Sequence, residues 1–135
     1  PVGPDGTAPP LTPAPPSIGS VRDIAGRIMA QLRAETGKEI IFEANWGAAS
    51  GDEGARGILF DAIRNAGTAL FEISRTAPGR TGITNNLRRV RFMQARYPSI
   101  TLQGDMLIIA FSVEQGLAGR PSSHAIRRQL AQILR

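Results

Sequence analysis

Apolar side chains recur along this chain in two periods, and the change from one to the other sketches a fold. Val21, Ile24, Ala25, Ile28 and Leu32 return at helical spacing. Ser20 followed by Asp23 reads as a capping box, and Gly37 as a left-handed stop, so a helix is predicted over 20–37. Residues 39–43, with Ile40, Ile41 and Phe42 in succession, predict a short strand, and 45–51, which holds Trp46, a loop. A second pair, Ser50 with Glu53, opens a helix whose buried stripe is Ile58, Leu59, Ala62, Ile63 and Ala66 and which Gly67 ends. β-favouring and aromatic residues over 68–75 predict a strand, and TAPGRTGIT, residues 76–84, a mobile loop.

The segment NNLRRVRFMQARYP, residues 85–98, fits both periods. As a helix it gathers Leu87, Val90, Met93 and Tyr97 on one face, with Arg88, Arg89, Arg91 and Arg96 on the other beside Phe92. As a strand it points Val90 and Phe92 one way, Arg89 and Arg91 the other. Its length and the stop at Pro98 favour the helix. Beyond it Ile100, Thr101 and Leu102 pair with 106–113 in a predicted hairpin around Gly104-Asp105, and Gly116 and Gly119 then break the chain. A last helix starts at Pro121 and Ser122 or Ser123, burying Ile126, Leu130 and Ile133 and exposing Arg127 and Arg128.

The resulting order is helix, strand, helix, strand, basic helix, hairpin, helix. It predicts an α+β sandwich in which three to four helices cover a small, mostly antiparallel or mixed sheet, as one domain over 18–135. Ahead of it, residues 1–17 belong to a stretch with seven of the chain's ten prolines and no apolar period, expected to be an extended tether; Pro10-Leu11-Thr12-Pro13 also spells a ligand for a proline-binding groove. The chain opens on Pro1, so a targeting segment or a larger parent is expected ahead of it.

Composition narrows the chemistry. At 41% hydrophobic the chain can bury a core without staples, and with no cysteine it has neither disulfides nor thiolate metal sites. The longest apolar run, Met106–Phe111, falls far short of the roughly 20 residues of a membrane-spanning helix. Net charge is +5, unevenly placed: residues 1–72 hold six basic and nine acidic side chains, residues 73–135 ten and two. From Arg75 through Arg80, Arg88, Arg89, Arg91 and Arg96 no acid intervenes before Asp105. Such a field attracts phosphates, or the acidic half of a second copy.

Catalytic groups are scarce. His124, the sole histidine, stands behind Ser122 and Ser123 with no third group to orient it as a base. Glu39 and Glu43 share a strand face, and Asp52-Glu53 suits compensation of a helix dipole. Gly51, Gly54 and Gly57 mimic a phosphate loop, yet Asp52 and Glu53 within it repel phosphate and no Gly-Lys-Ser/Thr follows. No metal or cofactor set assembles from these residues.

Three pieces of the chain resemble a known pattern. SVRDIAGRIMAQLRAETGKEIIFE, GARGILFDAIRNAGTALFEI and ITLQGDMLIIAF look like the first helix and strand, second helix and strand, and closing hairpin of the short N-terminal domains of secretins and TonB-dependent signalling receptors. Residues 76–98 and the C-terminal helix have no place in that pattern. The resemblance implies docking, to ring siblings or a partner protein, in a bacterial envelope or secretion assembly and without catalysis.

The expectation is therefore a non-enzymatic interaction module. Its partner- or polyanion-binding surface is expected to comprise Arg75, Arg80, Arg88, Arg89, Arg91, Phe92, Arg96, Tyr97, Arg127 and Arg128, with no catalytic or metal residue and no cofactor. One alternative is a nucleic-acid-binding domain using 75–96, with Phe92 or Tyr97 stacking on a base. Another is a small basic ribonuclease or toxin-like domain that takes His124 with Glu39 or Glu43 as its acid and base.

Overall fold

The computed structural model describes residues 17–114 and 121–133, with the backbone of 2, 3, 5 and 6. Most of the expected proline-rich tether lies outside the described residues, as do Gly116, Gly119 and the side chain of Ile133. At the start Val2–Gly3 (β1) and Asp5–Gly6 (β2) pair antiparallel. The domain proper runs α1 (Ile18–Thr36), β3 (Ile41–Ala44), α2 (Trp46–Ser50), α3 (Glu53–Ser74), α4 (Ala77–Asn86), β4 (Arg89–Gln94), β5 (Ser99–Gln103), β6 (Met106–Phe111) and α5 (Ser123–Ile133).

The expected α+β class holds. The sheet is mixed, in the order β3-β4-β6-β5: β4 is parallel to both β3 and β6, and β5 is antiparallel to β6 at the edge. Helices α1, α3 and α5 pack on one face, and Phe42, Val90, Phe92, Leu107, Ile109 and Phe111 meet them there. The rings of Phe42 and Phe92 stand 5.5 Å apart and tilted, joining neighbouring strands within that core.

Helix α1 carries its predicted stripe of Val21, Ala25, Ile28 and Leu32 into the core. Its cap is Ser17, whose hydroxyl accepts from the Ser20 amide at 3.1 Å, three residues ahead of the expected start. Gly37 closes it at φ 74°, as its position implied. In α3 the cap is Asp52, accepting from the Ala55 amide at 3.1 Å, and Asn45 caps the short α2 where a loop was expected.

Three further expectations are corrected. Helix α3 does not stop at Gly67 but runs to Ser74, and Ala66, Ala69, Leu70 and Ile73 continue its buried stripe where a strand was predicted. Gly67 is a crossing point: a Cβ there would stand 2.7 Å from Ile28 Cδ1, so the missing side chain lets α1 and α3 approach. The predicted loop over 76–84 is α4, capped by Thr76 with Pro78 in its first turn, which are helix-start signals in their own right. The basic segment is not a helix: residues 89–94 form β4, hydrogen-bonded to neighbours on both sides, with Val90 and Phe92 buried and Arg89 and Arg91 exposed. Period 2 prevails over period 3.6 there because the sheet offers partners for every backbone group and a core for the alternate side chains.

The hairpin turn is as expected, with Gly104 at φ 59°, and α5 buries Ile126 and Leu130. Both sheet edges touch the helical layer through one backbone group. The Phe42 amide points at Met29 Sδ at 3.3 Å on the β3 edge, and Gln129 Nε2 donates to the Ile100 carbonyl at 2.7 Å on the β5 edge. No described helix is long and apolar enough to cross a membrane.

Glycine placement supplies a test of this packing. A Cβ on Gly79 would run into the carbonyl oxygen of Ile73, which is backbone and cannot yield, whereas the atom facing Gly67 is the free end of a side chain. Gly79→Ala is expected to cost about 3 kcal/mol and to lower Tm by more than about 10 °C in thermal denaturation. Gly67→Ala is expected to cost clearly less in the same measurement.

Candidate functional site

The outer face of the sheet, opposite the helices, is where alternation sends Arg89 and Arg91. Register sets Glu43 of β3 across from Arg91 and Ile41 across from Arg89. On the other side Met106 and Ile108 of β6 complete the same rows. The rows therefore mix charge and apolar surface: Ile41 and Met93 are 44% and 46% exposed.

One carboxylate serves both guanidiniums. Arg91 donates from Nε to Glu43 Oε1 at 3.1 Å, and its Nη2 lies at the same distance from that oxygen. Arg89 Nη1 stands 3.7 Å from Glu43 Oε2, inside ion-pair range but beyond a hydrogen bond. Both arginines remain about half exposed, so the cluster keeps an excess positive charge at the surface and adds little to stability.

The other expected site residues do not join this face. Arg80 Nη1 donates to the Ser74 carbonyl at 2.9 Å, closing the end of α3, where Arg75 is the exposed C-cap residue. Arg88 Nη1 and Lys38 Nζ both reach the Thr84 carbonyl, at 3.3 and 3.1 Å, near the end of α4. A positive side chain at a helix C-terminus offsets the dipole there, which gives Arg80 and Arg88 a structural role. Arg96 lies 5.7 Å over the ring of Tyr97 in the connection after β4, exposed at the far end of that strand. Arg127 bonds Glu72 at 3.2 Å and His124 Nδ1 at 3.3 Å on the helical layer, where Arg128 is also exposed. Phe92 is buried against Phe42 and cannot stack on a base. The ten expected residues thus divide among the open sheet face, the helix ends, the loop after β4, the α5 surface and, for Phe92, the core.

Of the two acids considered for a ribonuclease, Glu43 is separated from the base. His124 is on α5, beside β5 at one edge and on the helical side; Glu43 is on the outer face of β3 at the opposite edge. Among the described residues no group of three His, Asp or Glu could hold a metal ion.

A cleft escaped the sequence reading. It measures about 780 Å³ and lies at the C-terminal ends of β3 and β4 beside the short helix α2, with Trp46, Arg91, Met93, Gln94, Phe42 and Phe92 among its lining residues. Trp46 is held in place by the core below and by the Arg22 guanidinium 5.7 Å from its ring. The available signal was a lone tryptophan directly after a strand, a position that places it at the strand's C-terminal rim.

The sequence pattern of the family described as Domain of unknown function (DUF4908) matches residues 1–130, so the chain belongs to that family. No curated protein and no solved structure matches it.

Burial separates structural from surface roles in β4. Phe92→Ala is expected to cost roughly 3–5 kcal/mol, whereas Arg91→Gln should change stability by no more than about 0.5–1 kcal/mol. Urea denaturation of both variants checks the contrast, and comparable losses would contradict the assigned orientation of the strand.

Proposed function

We propose that this member of the family is a non-enzymatic interaction module that docks on an acidic protein surface through the outer face of its sheet. The observation that carries the reading is the unequal cluster on that face: two guanidiniums share one carboxylate, beside exposed Ile41 and Met93. A surface of that kind offers charged donors for specificity and apolar area for affinity. The partial resemblance to N-terminal domains of secretins and TonB-dependent signalling receptors, carried by α1, β3 and the β5–β6 hairpin because the expected second strand is the C-terminal part of α3, supports a setting in a bacterial envelope or secretion assembly, since docking is what those domains imply.

Phosphate recognition is the less well supported use of the same charges. Open sheets that bind single-stranded nucleic acid stack bases on aromatic side chains of the exposed face. Here Phe42, Phe92 and Phe111 all point into the helices, and Glu43 sits between the two arginines.

Titration of the isotopically labelled chain with poly-L-glutamate, followed by amide NMR shifts, tests the reading. Shifts are expected to concentrate on 41, 43, 89, 91 and 93, and the Arg89→Gln/Arg91→Gln double variant is expected to bind at least about tenfold more weakly with its fold retained. Shifts centred on Arg127 and Arg128, or unchanged affinity in the double variant, would place the contact elsewhere. Tighter binding of a 20-mer DNA duplex with a steep log-log salt slope would favour phosphate instead.

A further inference from the structure

We infer, on the premise of that docking face, that β4 reads an extended acidic segment of a partner protein in the order acid, spacer, acid, spacer, apolar residue along the strand, and that the apolar side chain packs against Met93 at the mouth of the cleft that Trp46 also lines.

The argument starts from spacing. Arg89, Arg91 and Met93 point outward at every second position of one strand. Their attachment points are therefore about 7 Å apart. An extended partner running alongside repeats its like-sided residues at the same interval, so two carboxylates can meet two guanidiniums while the next residue on that side reaches Met93. A single helical turn cannot hold three such positions in line, because its side chains rotate away from the strand direction.

Position then supplies the third contact. The cleft opens where β4 ends, and Met93 is both the third outward residue and part of its wall, with Gln94 next to it. Trp46, which is partly exposed, lines the same cleft as Met93, together with the buried Phe42 and Phe92 that face the helical side. A leucine or phenylalanine side chain at that point adds apolar burial to the charge pairing. The order is directional: the apolar residue must lie toward the C-terminal end of β4, because the opposite end of the strand leads to Arg88 and the α4 terminus.

Charge complementarity chooses carboxylates as the partner's groups. Glu43 already binds Nε and Nη2 of Arg91 but stays beyond hydrogen-bond distance of Arg89, so it stands in the position that a partner's carboxylate would occupy. It is an internal counter-ion, and an incoming acid competes with it. Removing that competitor while keeping its shape should therefore strengthen binding.

Fluorescence anisotropy with two labelled peptides of equal composition tests the inference. One carries Glu-Ser-Glu-Ser-Leu flanked by serines; the other places its leucine between the two glutamates. The ordered peptide is expected to bind at least about fivefold tighter than the scrambled one. Arg89→Gln/Arg91→Gln should weaken it at least about tenfold, Met93→Glu should abolish the preference between peptides, and Glu43→Gln should raise affinity, each with an unchanged circular dichroism spectrum. Equal binding of the two peptides alongside retained poly-L-glutamate binding overturns this inference and leaves the docking face standing. Loss of affinity in Glu43→Gln likewise overturns the displacement argument, because that carboxylate would then be a partner contact or a positioning group. Failure of both peptides and of poly-L-glutamate overturns the docking reading itself.

Discussion

The pairing of β4 on both sides is the constraint from which the rest of this molecule follows. A central strand has no freedom of register, because β3 and β6 take its amides and carbonyls in turn, and its parity then decides which side chains are buried. A slip of one residue would drive Arg89 and Arg91 under the helices and expose Val90 and Phe92. The cost of burying two guanidiniums without partners far exceeds any gain in pairing, so the charges themselves hold the register in place. The same alternation that builds the core thus sets a pair of arginines on the opposite surface with a fixed separation.

The helical layer is organised around α3, which touches α1, α2, α4, α5 and the sheet. Its long stripe of small residues is what lets several neighbours approach one helix. Alanine at 62, 66 and 69 and glycine at 67 keep the axes close, and Ile28 fills the notch that Gly67 leaves. At the far end, Ser74 is buried and donates to Glu35 Oε1 at 2.8 Å, and Arg80 takes the Ser74 carbonyl, so the polar groups of the helix end are matched rather than stranded. Part of the basic charge of the second half of the chain is consequently internal equipment.

Much of this was legible in the amino acids, and the parts that were not share a cause. The class, the first and last helices and the β5–β6 hairpin follow from local periodicity and from Gly37 and Gly104, whose left-handed backbone a turn or cap requires. The segment 85–98 was ambiguous because Val90 lies on the apolar side in either period, and the decisive fact, a gap between β3 and β6, is tertiary. Gly67 reads locally as a stop and acts tertiarily as a contact. The arginine face could be located only to a stretch of chain: which of the arginines meet solvent together depends on strand parity and on carbonyls such as those of Ser74 and Thr84 that no spacing reveals. Glu43 as their shared partner, 48 residues away along the chain from Arg91, was likewise invisible.

The two edge contacts of the sheet carry a consequence for growth. An exposed strand edge is a template on which further strands of the same protein can add without limit. Here the Met29 sulfur lies against one edge and the Gln129 amide occupies a carbonyl on the other. Each obstructs the ladder that a newcomer would have to continue. A molecule so arranged hinders strand addition at both edges of its sheet without lengthening or burying either edge strand.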